Sequence, residues 1–145
     1  MYRIVIPVDT EEQRGLQAVT FVTELLEDTD LGATADDIGV TVLNVFEKFR
    51  AVDEGSNLSS DELYDPESYP DSVITVAEAL QEAGLEPEMV RRHGEPAEEI
   101  VEYADEVDAD QIVITGRKRS PVGKAVFGSV IQQVVLETDR PVTIV

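Results

Sequence analysis

Short apolar runs that alternate with stretches of helical periodicity constrain this chain more than any other feature. Arg3-Ile-Val-Ile-Pro-Val8 is a nearly continuous apolar run ending at Asp9, the pattern of a strand buried on both faces. From Gln13 to Glu27, Leu16, Val19, Val22 and Leu26 recur every three or four positions, which places them on one helical face. Gly39-Val-Thr-Val-Leu-Asn-Val45 returns to strand chemistry. Val73, Val76, Ala77 and Leu80 mark a second helix, closed by Gly84, a residue suited to the left-handed position after a helix. A third strand spans Glu88 to Arg92. Pro96 then fits the first turn of a helix whose buried stripe is Ile100, Val101, Ala104 and Val107. Gln111-Ile-Val-Ile-Thr115 reads as the fourth strand and Pro141-Val-Thr-Ile-Val145 as the fifth, with a helix marked by Val130, Ile131, Val134 and Val135 between them.

Strands alternating with helices need right-handed crossovers and a sheet covered on both faces, so the expected fold is α/β with an open, parallel, five-stranded, Rossmann-like sheet. In the order 3-2-1-4-5 the winding reverses between strands one and four. Ligand crevices of such sheets lie beyond the carboxyl ends of the strands at that point. Asp9 follows strand one immediately, and Thr115 and Gly116 close strand four. A length of 145 residues suits one domain, residues 1–145.

The formal net charge is -20, yet 42% of the residues are hydrophobic, so the charge coats a folded core. The carboxylates are spread over nearly the whole chain and Lys is scarce beside Arg. This favours a surface for a high-salt cytoplasm, hence a halophilic archaeal source, over an acidic tail for a basic partner. A nucleic-acid surface would need a broad basic face. There is no cysteine, and His93 alone cannot assemble a zinc centre, although carboxylate metal sites remain open. No apolar run is long enough for a membrane span and no basic leader precedes an apolar core, so a cytoplasmic location is expected.

The segment Gly116-Arg-Lys-Arg-Ser-Pro-Val-Gly-Lys-Ala-Val-Phe-Gly-Ser129 carries the chemistry. Arg117, Lys118, Arg119 and Lys124 are four of only 11 cationic side chains, gathered at the expected crevice of a chain that otherwise repels anions. Gly116, Gly123 and Gly128 allow close backbone approach, and Gly128-Ser129 opens a helix whose first N–H groups suit a phosphate. The competing reading gives the glycines to turns and the cations to neighbouring carboxylates. A Walker loop is excluded because six residues separate Gly116 from Gly123 and Ala125 stands where a hydroxyl residue is required. No G-x-G-x-x-G follows a strand. Asp9 is either a ligand-facing acceptor or a turn carboxylate, and its pairing with Gly116 favours the first. His93 reads as ordinary surface.

Ile-Val-Ile-Pro-Val-Asp9, Val40-Thr-Val-Leu-Asn-Val45, Gly94-Glu-Pro96, Ala109-Asp110 before Ile112-Val-Ile-Thr-Gly116, Gly128-Ser129 and Pro141 to Val145 together resemble the universal stress protein family, over nearly the whole chain. Nucleotide-binding members carry G-x2-G-x9-G-S/T after strand four. The resemblance implies phosphates around Gly116, Gly128, Ser129 and Val130, and base and ribose around Pro7, Asp9 and Val40. Two departures stand out: Arg119 occupies the place of the second glycine, and eight residues rather than nine separate it from Gly128. A side chain at 119 crowds the backbone approach, whereas Arg117, Lys118, Arg119 or Lys124 can substitute charge-assisted contacts.

The resemblance thus points to a stress-response module that binds ATP, with or without Mg²⁺, or a related adenine nucleotide. No catalytic residue is assigned, and at most slow ATP hydrolysis is expected. The alternative is a dimeric interaction protein that has lost nucleotide binding; an adenylyl-transfer enzyme lacks its histidine-rich signature. The final strand is apolar and would leave unpaired backbone groups at a sheet edge, and related proteins pair theirs across a twofold axis, so a homodimer through Pro141 to Val145 is expected. The acidic stretch from Val52 to Pro70 is expected to be solvated and irregular.

Overall fold

The computed structural model describes residues 1–9, 12–28, 32–46, 69–116 and 128–145. Five parallel strands form one sheet in the order β3-β2-β1-β4-β5: β1 Tyr2–Pro7, β2 Ile38–Phe46, β3 Glu88–His93, β4 Gln111–Ile114 and β5 Val142–Ile144. Among the described residues four helices connect them: α1 Glu12–Glu27, α2 Asp71–Glu82, α3 Pro96–Glu106 and α4 Ser129–Glu137. The α/β architecture and its 3-2-1-4-5 order are as expected. The basic loop at 117–127 lies outside the described residues, as does the acidic stretch from Val52 to Pro70 except for Tyr69 and Pro70.

The central strands are buried on both faces, as their unbroken apolar runs require. Ile4, Ile6, Val8, Val40, Val42 and Val113 pack against Val19 and Val22 of α1 and Val73, Val76 and Leu80 of α2. Val5, Leu43, Ile112 and Ile114 face Ile100, Tyr103 and Ala104 of α3 and Ile131 and Val134 of α4. Helix α1 turns a slightly different stripe inward from the one its large residues mark. Leu16 is 37% exposed while Ala18 is fully buried, because α1 approaches α2 too closely for bulk. A Cβ added at Gly15 would stand 2.4 Å from Val76 Cγ2. Val135 is also exposed, and Val101 and Val107 only partly buried; Tyr103 takes the inward place on α3.

The ends of the elements obey local chemistry. Gly84 has φ +89°, and Leu85 N–H returns to Leu80 C=O at 3.1 Å, closing α2 in the left-handed manner its glycine predicts. Pro96 occupies the first turn of α3, whose amide at Glu98 donates to the Glu95 carboxylate at 3.0 Å. Arg140, just before β5, donates to Asp105 at 3.1 Å and Asp108 at 3.2 Å and to the Ala109 carbonyl, pinning the last strand to the end of α3.

Candidate functional site

The pairing of β1 with both β2 and β4 puts the reversal of winding where the order 3-2-1-4-5 requires it. Pro7 is the last residue of β1, pairing with Leu43, and Val8 N–H donates to Leu43 C=O at 2.9 Å. Asp9 therefore leaves the sheet at its carboxyl edge and is exposed. Its carbonyl accepts a 2.6 Å hydrogen bond from Ser72 Oγ, in the first turn of α2, although Ser72 is only 1% exposed. Ser72 carries no sequence signal for this contact beyond being a hydroxyl residue beside an apolar stripe.

Thr115 and Gly116 follow β4 at the same edge, so the strand ends one residue earlier than its apolar run suggests. Gly116 is buried and its N–H donates to the Val145 carbonyl at 3.0 Å, while Val145 N–H donates to Ile114 C=O at 3.0 Å. The Gly116 amide is thus engaged in the ladder with the end of the chain, which leaves it unable to donate to a phosphate at the same time.

Gly128, Ser129 and Val130 form the start of α4, the helix that follows the loop after β4. Gly128 is its N-cap with φ −63° and ψ 164°, no side chain among the described residues caps the first turn, and no acidic residue lies in it. The unpaired N–H groups of a helix start and its positive dipole end therefore meet no internal anion among the described residues. Gly128 is exposed, and a Cβ there would meet nothing within 4 Å among them. With an ordinary φ and no described atom within reach, neither backbone conformation nor contact with the described residues demands glycine here.

Val40 stands apart from this group, contrary to the placement the resemblance implies. It is 4% exposed, pairs with Ile4, and borders an open groove of about 580 Å³ at the amino ends of the strands, with Met1, Glu86 and Val107. The reason is the length of β2: nine residues carry it to Phe46, so its carboxyl end is at Val45 and Phe46 and not at Val40. His93 at the end of β3 is not plain surface either, since its ring packs edge-on against Phe46 at 5.6 Å and is partly buried. Arg117 and Arg119 lie outside the described residues, as do Lys118 and Lys124. Among the described residues no group of three or more His, Asp or Glu side chains is arranged to hold a metal ion, and no helix is long and apolar enough to cross a membrane.

Comparison with known proteins agrees with this fold over the whole chain. The universal stress protein family model matches residues 1–145. The structure of a universal stress protein from Archaeoglobus fulgidus is 28% identical, with a TM-score of 0.72 over 99% of this chain and 98% of that one. One from Archaeoglobus fulgidus in complex with dAMP is 25% identical, with a TM-score of 0.68 over 99% of this chain and 97% of that one. Proteins of the same fold at 17% and 15% identity were solved with cAMP and AMP. In sequence, a universal stress protein of Mycolicibacterium smegmatis is 42% identical over 64 residues, 43% of this chain and 49% of that protein. The matched stretches span about half or less of the length of the curated relatives.

Proposed function

This chain belongs to the universal stress protein family, and we propose that it is a stress-response module binding ATP or a related adenine nucleotide between the carboxyl ends of β1 and β4. It acts through a conformational or partner-binding change and not through turnover, and works in the cytoplasm as one domain. Gly128, Ser129 and Val130 hold the phosphates, Pro7 and Asp9 the ribose and base, and Thr115 and Gly116 line the crevice between them. Arg117 and Arg119 supply countercharge, and Mg²⁺ accompanies a triphosphate. The observation that carries this reading is the start of α4, with a glycine N-cap, no side-chain cap among the described residues and no acid in its first turn, in a chain with 31 Asp and Glu residues. The dAMP complex of a relative of the same fold supports the ligand class.

A specific observation favours a second reading. Because the Gly116 amide is bonded to Val145, one backbone donor expected for phosphate is already engaged, and the chain would then serve as a dimeric interaction protein. In either case the proposed homodimer forms through Pro141 to Val145. The three-residue β5 is paired on one side only among the described residues, and a second copy satisfies its open edge. Isothermal titration of ATP with Mg²⁺, and of dAMP, in molar KCl decides between the readings. Saturable binding of either ligand is expected; no heat at millimolar ligand would leave the interaction protein.

A further inference from the structure

Ser72 is out of place by composition. It lies on the buried face of α2 beside Val73, Val76, Ala77 and Leu80, with 1% exposure, where an apolar residue would ordinarily stand. Its hydroxyl reaches a carbonyl 63 positions away in sequence, that of Asp9, at 2.6 Å. The chain at Asp9 is thereby held from both sides. Val8 N–H is fixed to Leu43 C=O on the sheet, and the peptide following Asp9 is fixed to α2. Only the φ and ψ of Val8 and Asp9 lie between those two anchored peptides, so the bonds narrow the directions in which the Asp9 side chain leaves the backbone.

We infer that Ser72 is a positioning residue for the nucleotide site: by holding the Asp9 carbonyl it sets the direction of the Asp9 carboxylate toward ribose and base. The inference rests on the nucleotide-binding reading above and adds to it a residue from α2, a helix with no other part in the site. A buried hydroxyl needs an acceptor wherever it lies, so a purely structural Ser72 would stabilise the fold and leave affinity alone. A positioning Ser72 acts on affinity, and does so only through Asp9.

The test is a double-mutant cycle read by titration with dAMP in molar KCl. Ser72→Ala is expected to weaken dAMP binding about five- to tenfold in the wild-type background, the loss of roughly one well-made hydrogen bond. In the Asp9→Ala background the same change is expected to weaken it less than about twofold, because the group it orients is gone. Equal losses in both backgrounds, or a lowered melting temperature with unchanged affinity, would overturn the inference while leaving the nucleotide site standing. Absence of dAMP and ATP binding by the unmutated protein would instead remove the underlying reading. Ser72→Cys keeps the size of the side chain with a weaker donor, and gives the same comparison if the alanine variant does not fold.

Discussion

Helices α3 and α4 lie on the same face of the sheet and begin at the same edge, yet their first turns are built oppositely. The start of α3 is closed: the Glu95 carboxylate accepts from Glu98 N–H, Pro96 removes one amide donor, and Glu98 and Glu99 neutralise the dipole. The start of α4 has a glycine cap, no side-chain acceptor among the described residues and no acid in its first turn. In an average protein that difference would mean little. In a chain of net charge -20 a helix start without a carboxylate is the feature on which the proposed phosphate site rests.

The strongest way to break this comparison is to close α4 as α3 is closed. Gly128→Asp puts a carboxylate at the N-cap, where a Cβ meets open space among the described residues. The free protein is expected to keep its melting temperature or gain slightly, since an acidic cap suits a helix start. Nucleotide affinity is expected to fall by about a hundredfold or more, from like-charge repulsion at the phosphate position. The melting-temperature rise given by ATP and Mg²⁺ should disappear with it. A variant that still responds to ATP as the wild type does would take the phosphate site away from α4.

The reverse change sharpens the comparison from the other side. Glu95→Ala opens α3 by removing the acceptor of the Glu98 amide. It is expected to lower stability by about 0.5–1 kcal/mol, seen in thermal melts, with no change in nucleotide affinity. An affinity change as large as that of Gly128→Asp would mean that the two starts share one anion site.

A still smaller effect separates the bodies of the two helices. Helix α3 carries Glu98, Glu99, Glu102, Asp105 and Glu106, of which Glu106 is paired with Arg92 and Asp105 with Arg140, whereas α4 carries only Glu137. Raising KCl from about 0.1 to 1 M shortens the screening length from roughly 10 to 3 Å. Amide protection of α3 in hydrogen exchange is expected to rise with salt more than that of α4. Equal gains would show that screening acts on the chain as a whole and not on local acid density.

Much of this architecture was legible because sheet and helix periods leave separate marks. The run Ile4-Val5-Ile6 reads as a doubly buried strand, and Gly84 and Pro96 mark a helix end and a helix start by backbone chemistry. The glycine-serine start of α4 was legible for the same reason, since its character lies in what its own residues lack. Val40 was misplaced because a continuous β-branched run does not declare which of its residues reaches the edge; the register with β1 does. Ala18 displaced Leu16 from the core because Gly15 brings two helices together, a fact of tertiary distance. The contact from Ser72 to Asp9 and the bond from Gly116 to Val145 join residues whose proximity no local pattern encodes.

The smallest effect concerns a third closed start, which extends the comparison beyond α3 and α4. In the 3-10 turn Ala35–Asp37, Thr34 N–H and Thr34 Oγ both donate to Asp37 Oδ2, at 2.9 and 2.8 Å. The backbone bond first and the hydroxyl second hold the Asp37 pKa below its ordinary value of 3.8. A depressed carboxyl favours the folded state above the unfolded pKa, and that contribution is lost as pH falls through the lower, folded value. Thr34→Ala removes the hydroxyl but keeps the larger backbone bond, so Asp37 should move only part of the way back. The variant should melt slightly below the wild type at neutral pH, and the gap should close in acid, once Asp37 is protonated in both. Melts between about pH 5 and pH 2, with the Asp37 carboxyl followed by NMR, check both parts. A gap unchanged in acid would assign the effect of Thr34 to the backbone of the turn, leaving α3 as the one start in the described chain closed by a carboxylate that matters to stability.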